Sequence, residues 1–147
     1  MGLFDSLFGG MESAKKLSPQ QAFAGILLAA GACDGHISDT EADNLMTAVG
    51  RMRLFQRVSD KEFSQVMNKL MGILKKQGPE GLIDGCCAAL PKELANAAFA
   101  NACNIVLSDG VVDTDEKEFI ERLRERLALD NNVAKAIAQV MVIKNKG

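Results

Sequence analysis

The stretch Asp34-Gly35-His36-Ile37-Ser38-Asp39-Thr40-Glu41 decides the fold, because it returns as Asp109-Gly110-Val111-Val112-Asp113-Thr114-Asp115-Glu116. In each copy a helix-patterned apolar segment runs into Asp-Gly, an Ile or Val follows, and a Ser or Asp stands three residues before a Glu. Each part has a physical job. Glycine accepts the positive φ of a helix stop, and Ile37 or Val112 plugs the turn onto a core. Ser38 or Asp113 caps the next helix, and Glu41 or Glu116 reaches back to complete a capping box. The matching hydrophobes continue past the turn, Leu45 beside Ile120. The repeat is therefore a duplicated helix-turn-helix unit, of the kind that commonly packs about a pseudo-twofold axis.

Working outward, helical periodicity with matching stop signals accounts for nearly everything after residue 18. Ser18-Pro19-Gln20-Gln21 is a capped start with proline at the first helical position, and Phe23, Ile26, Leu27 and Ala30 share a face until Asp34-Gly35. The box Ser38 to Glu41 opens a helix with Leu45, Val49 and Met52 inside. The box Ser59 to Glu62 opens another with Phe63, Val66, Met67, Leu70, Met71 and Leu74 on one stripe, ending at Gly78. Pro79 and Pro91 each suit a first helical position, which predicts a short helix near 80–90 and a longer one near 92–108 lined by Ala95, Ala98, Phe99, Ala102, Cys103 and Val106. Asp113 to Glu116 opens a helix carrying Phe119, Ile120, Leu123 and Leu127, with Arg122, Arg124 and Arg126 towards its favourable C-terminal end. Asp130 caps a last helix with Val133, Ala136, Ile137, Val140 and Met141. The expectation is an all-α, single-domain bundle of about seven helices over residues 18–147, with repeat units at about 18–77 and 92–145. A short amphipathic or flexible segment, residues 1–17, precedes it. There Leu3, Phe4, Leu7 and Phe8 share one side of a helical turn, and docking on the domain or fraying is favoured over lying on a membrane surface.

Composition narrows the functional classes. A chain of 147 residues buries roughly 70% of its unfolded surface and folds without staples. The cysteines Cys33, Cys86, Cys87 and Cys103 form no Cys-x-x-Cys pair and come with a single histidine, which argues against a zinc ribbon or disulfide framework and for buried thiols in a reducing compartment. A net charge of −2 provides no field for a polyanion, so nucleic acid is not expected as a partner. The longest apolar stretch, residues 22–33, is too short to span a bilayer, and no signal peptide is evident. A cytoplasmic address is expected.

The order Asp-Gly-x-Ile-x-x-x-Glu reproduces the second half of an EF-hand loop. The first half is missing: Ala30 and Ala32, or Ile105 and Leu107, stand where its first and third oxygen ligands belong. A divalent ion could still bind if the two turns meet and pool Asp34, Asp39, Glu41, Asp109, Asp113, Asp115 and Glu116. Calcium or magnesium is favoured over zinc, because the donors are oxygens and only His36 offers an imidazole. The competing reading is that these residues only cap helices. An enzyme is not expected: Ser108 has no histidine to activate it, and no Gly-rich phosphate loop is present.

The Ala-Cys-Asp-Gly and Leu-Ser-Asp-Gly helix ends, each followed seven residues after the Asp by Glu, resemble the TerB family of tellurite-resistance proteins over most of residues 18–145. The resemblance implies an all-helical, internally duplicated domain whose acidic surface, here Asp34, Glu41, Asp109 and Glu116, holds metal ions. It implies a non-enzymatic adaptor or sensor in bacterial tellurite or general stress resistance, acting with protein partners of that system, some of them membrane-associated. A cytoplasmic location, peripheral to the inner membrane face where such partners sit, would follow. The dipeptide Cys86-Cys87 departs from the family pattern. Metalloid capture by these thiols is conceivable, but packing on a helix face with Leu82, Ile83 and Leu90 is the favoured reading.

Overall fold

The computed structural model describes residues 17–34, 37–108 and 111–146, and every regular element within them is helical. Six α-helices run in the order α1 Pro19–Gly31, α2 Asp39–Gly50, α3 Asp60–Ala89, α4 Ala95–Val106, α5 Thr114–Arg126 and α6 Asn131–Lys144, with 3₁₀ turns at Arg53–Phe55 and Lys92–Leu94. The count is six, not the expected seven, among the described residues, because the segment near 80–90 continues α3. Gly78 breaks the helical geometry there (φ 74, ψ 175). Pro79 has no N–H to donate and disfavours the α conformation in the residue before it, so glycine alone absorbs the bend cheaply. The helix resumes as a second limb. No helix of the described residues is long and apolar enough to cross a membrane.

The caps form where the sequence places them, with two corrections. Ser18 and Gln21 make a reciprocal box, Gln21 N–H donating to Ser18 Oγ at 3.1 Å and Ser18 N–H to Gln21 Oε1 at 3.0 Å. Asp113 and Glu116 do the same at 2.8 and 3.1 Å. At Ser38 and Ser59 the hydroxyl accepts from the N–H of Glu41 (3.1 Å) and Glu62 (3.2 Å), but the reciprocal bond from either glutamate is not made among the described residues. Those two boxes are half-formed, leaving the Glu41 and Glu62 carboxylates off the helix ends. The second correction concerns α1, which stops at Gly31, ahead of the expected Asp34-Gly35. The N–H of Ala32 turns back on the carbonyls of Ala29 and Ala30.

The core is organised around α1, whose residues from Ala22 to Ala30 are all buried. A helix apolar on every side belongs at the centre of a bundle, and α1 packs against α3, α4 and α2. Its small residues allow close approach. A Cβ on Gly25 would overlap Cys86 Sγ and meet Leu70 Cδ2 at 3.2 Å, so the two limbs of α3 clasp α1 at that point. On its other side α4 presents Ala98, Phe99, Ala102, Cys103 and Val106, all buried, and itself contacts α5 and α6.

Helix α5 is tied to the second limb of α3 by ion pairs that join distant parts of the chain. Arg122 Nη2 lies 2.9 Å from Asp84 Oδ2, Arg126 Nε 2.9 Å from Asp84 Oδ1, and Arg122 Nη1 3.3 Å from Glu80 Oε2. These arginines, expected only to complement the helix dipole, therefore also orient α5. At the partly exposed surface such pairs set register more than they supply stability. In α6 the inward residues are Ala134, Ile137 and Met141, while Val133, Val140 and Ile143 are 42%, 55% and 67% exposed. The apolar pattern of this helix is wider than the face it buries.

Candidate acidic site between the two turns

Helices α1 and α2 bring one acidic turn, and α4 and α5 the other, to a shared cavity of about 200 Å³. Asp34 and Glu41 of the first turn and Glu116 of the second line it, with Cys33 and Ser108 beside them and Ala30, Gly31, Leu45 and Ile105 as an apolar floor. The floor has a sequence explanation, since Ala30 and Ile105 occupy the positions where an EF-hand loop would carry its first oxygen ligands. Ile37 and Val112 are both partly buried against the core, as plugs of their turns. The Ile37 plug is tight: a Cβ on Gly31 would meet Ile37 Cδ1 at 3.2 Å and Leu45 Cδ2 at 3.4 Å.

The remaining expected ligands are not all brought to this cavity. Asp113 is exposed and its Oδ1 accepts the Glu116 N–H, while Glu116 Oε1 accepts the Asp113 N–H, so one oxygen of each is committed to the cap. Asp39 is exposed at the start of α2. Asp115 lines a neighbouring cavity of about 230 Å³, together with Cys33, Glu80, Glu118, Phe119 and the Gly78-Pro79 bend. Asp109, with Gly35, His36 and Gly110, lies outside the described residues. Among the described residues no group of three His, Cys, Asp or Glu side chains is close enough to hold an ion by itself. Ser108 Oγ donates to the Ile105 carbonyl at 2.8 Å.

Compared with known protein families, curated proteins and solved structures, the chain matches none.

The residue that sequence reasoning missed is Cys33. Its apolar neighbours in the sequence place it with the buried thiols, yet it sits at the junction of the two turns and lines both cavities. Burial, followed by the negative charges of Glu116, Asp34 and Asp113, pushes its thiol up to about 12. Carboxylates from both turns thus act on one atom, which locates a common electronegative region. The available signal was its place directly before Asp34, which puts it at the helix exit along with the acids.

The other three thiols are also pushed up to about 12, by burial first in each case. A protonated thiol is a poor nucleophile and a poor metal ligand, which favours the packing role of Cys86 and Cys87. The unfolded chain releases these protons near the ordinary value of 9.0, whereas the folded chain holds them to about 12. The native state therefore binds more protons in that window, and stability falls with rising pH there. The expected result is an unfolding free energy independent of thiol ionisation below pH 9 that declines between pH 9 and 12. At neutral pH all four thiols should resist a small alkylating reagent until denaturant is added. Urea midpoints measured across that range, with mass spectrometry of alkylated native protein, check both. Rapid native labelling of Cys86 or Cys87 at pH 7 would contradict the assignment.

Proposed function

We propose that this chain is a non-enzymatic binding module of the TerB kind, an adaptor or sensor in bacterial tellurite or stress resistance whose acidic junction responds to a hard divalent cation. The observation that carries the reading is that Asp34 and Glu41 from one turn and Glu116 from the other line a single cavity, although they are far apart in the chain. The internal duplication belongs to the same reading: α1 with α2, and α4 with α5, are the equivalent units, with α1 against α4.

The donor set suits calcium or magnesium, since its charged members are carboxylates and hard cations prefer oxygen. The apolar floor and the cap-committed oxygens of Asp113 and Glu116 restrict how many ligands the protein supplies. A cation held here keeps several of its waters, which suits magnesium and weak calcium sites. The residues proposed to hold it are Asp34, Glu41 and Glu116, through its waters because no three described acidic side chains are grouped closely enough to bind it directly, together with Asp109, which lies outside the described residues.

A ligand that binds only the folded state raises the apparent stability, by about 2.7 kcal/mol at a hundredfold excess over its Kd. The expected result is a rise in thermal midpoint on adding calcium or magnesium, smaller with zinc, with measurable heat in calorimetry. Asp34→Ala combined with Asp109→Ala should abolish the ion-dependent rise while the protein remains folded. A second reading, a protein–protein scaffold whose acids only cap helices, is favoured by the complete Asp113–Glu116 box. It predicts no heat and no ion-dependent shift in either protein, and that outcome would replace the first reading.

A further inference from the structure

On the face formed by the first turns of α1, the chain after α2 and the start of α4, a groove of about 510 Å³ is lined mainly by apolar surface, including Phe23, Met52, Leu54 and Leu94, with Arg53 and Arg57 beside it. Its volume is in the range of pockets that accept a drug-sized ligand, and its lining of apolar side chains with a few polar groups is of the same type. An occupant that matches this lining is apolar with a negative charge to meet Arg53 and Arg57.

The chain carries such a segment. Leu3, Phe4, Leu7 and Phe8 have the sequence spacing of one helix face, and Asp5 stands among them. Residues 1–16 lie outside the described residues. The point where they join the fold is Leu17, which is buried, and Gln20 and Phe23 in the next two turns already line the groove. Residues 9–16 include the Gly9-Gly10 pair, and a chain of that length reaches at most about 29 Å when extended. An attachment so short and so close to the groove gives a tethered segment a high effective concentration there. We propose that residues 3–8 dock in cis in the groove beside Phe23, Met52, Leu54 and Leu94, with Asp5 facing Arg53 and Arg57. The apolar dyads of the N-terminal segment are then covered by the domain itself and withheld from membranes and other proteins.

The test uses the full chain, which contains no tryptophan or tyrosine, so that Phe4→Trp introduces a single fluorophore. The expected result, in buffer without lipid, is a blue-shifted emission that does not change with protein concentration. Ala97→Glu adds bulk and negative charge at an exposed position of the groove wall, and it should move the emission to that of a solvent-exposed indole while circular dichroism shows the helices intact. The charge reversal Arg53→Glu with Arg57→Glu, both exposed, should give a partial red shift without touching the core. Solvent-exposed emission in the otherwise unaltered chain overturns the proposal. So does a blue shift that appears only with anionic vesicles, which would assign the segment to a membrane. A blue shift that grows with concentration would assign it to a second copy, and one that survives Ala97→Glu but is lost with Val140→Glu would move docking to the exposed stripe of α6.

Discussion

Gly25→Ala is expected to lower the stability of this protein by about 1–3 kcal/mol, the usual effect of adding a methyl group to a filled core, and Gly25→Val is expected to prevent native packing. Two effects oppose each other. Alanine in place of glycine inside a helix gains about 1 kcal/mol through the unfolded state and helix propensity. Against this, the new Cβ overlaps Cys86 Sγ and crowds Leu70 Cδ2, and both neighbours are fully buried. The steric term wins because the obstacle is a short, stiff side chain. Cys86→Ala removes the sulfur, so the double variant should recover much of the loss, with a coupling energy on the order of 0.5–3 kcal/mol in a double-mutant cycle. Urea denaturation measures all four proteins. A Gly25→Ala protein as stable as the parent would mean that α1 and α3 are not as close as described.

Among side-chain truncations the largest loss is expected at Phe99, where replacement by alanine should cost about 3–5 kcal/mol. The ring is 1% exposed and is the largest of the fully buried side chains. It lies on α4, the helix that contacts α1, α5 and α6, and a void there removes contacts from several elements at once. Since a domain holds only about 5–15 kcal/mol in total, Phe99→Ala should leave a protein close to unfolding at moderate temperature. Val140→Ala is the control. Valine 140 belongs to an apolar helical pattern too, but it is 55% exposed, and its truncation should fall within about 0.5 kcal/mol of neutral. Equal losses at the two positions would show that α6 is rotated from the orientation described.

The contrast between Phe99 and Val140 marks a boundary in what periodicity can tell. In α4 the apolar face read from the chain is the face that is buried. In α6 the apolar residues cover more of the helix than one neighbour can bury, and which of them turn inward depends on where α4 lies. The caps show the same limit. Ser18, Ser38, Ser59, Asp113 and Asp130 each accept a helix N–H, because capping is a local matter of a few residues. Whether the glutamate returned the bond at Ser38 and Ser59 was not legible, since an exposed carboxylate chooses between its own helix end and other surroundings.

For the site, the duplicated acidic turn was readable as a repeat, but the meeting of its two copies at one cavity was not. The place of Cys33 and of the apolar floor depends on both helix exits standing side by side. Legible along the chain were its helical character, where most helices begin and end, a break at Gly78-Pro79 that was read as a boundary between two helices, and the repeat of an acidic motif. Each of these rests on interactions within a few residues, whose strength does not depend on distant neighbours. Only packing between distant segments settles that α3 clasps α1 at Gly25, that Asp84 gathers Arg122 and Arg126, and that carboxylates from both turns line one cavity with Cys33. Those arrangements arise from burying helix faces against one another, and the geometry of such packing is a property of the whole chain.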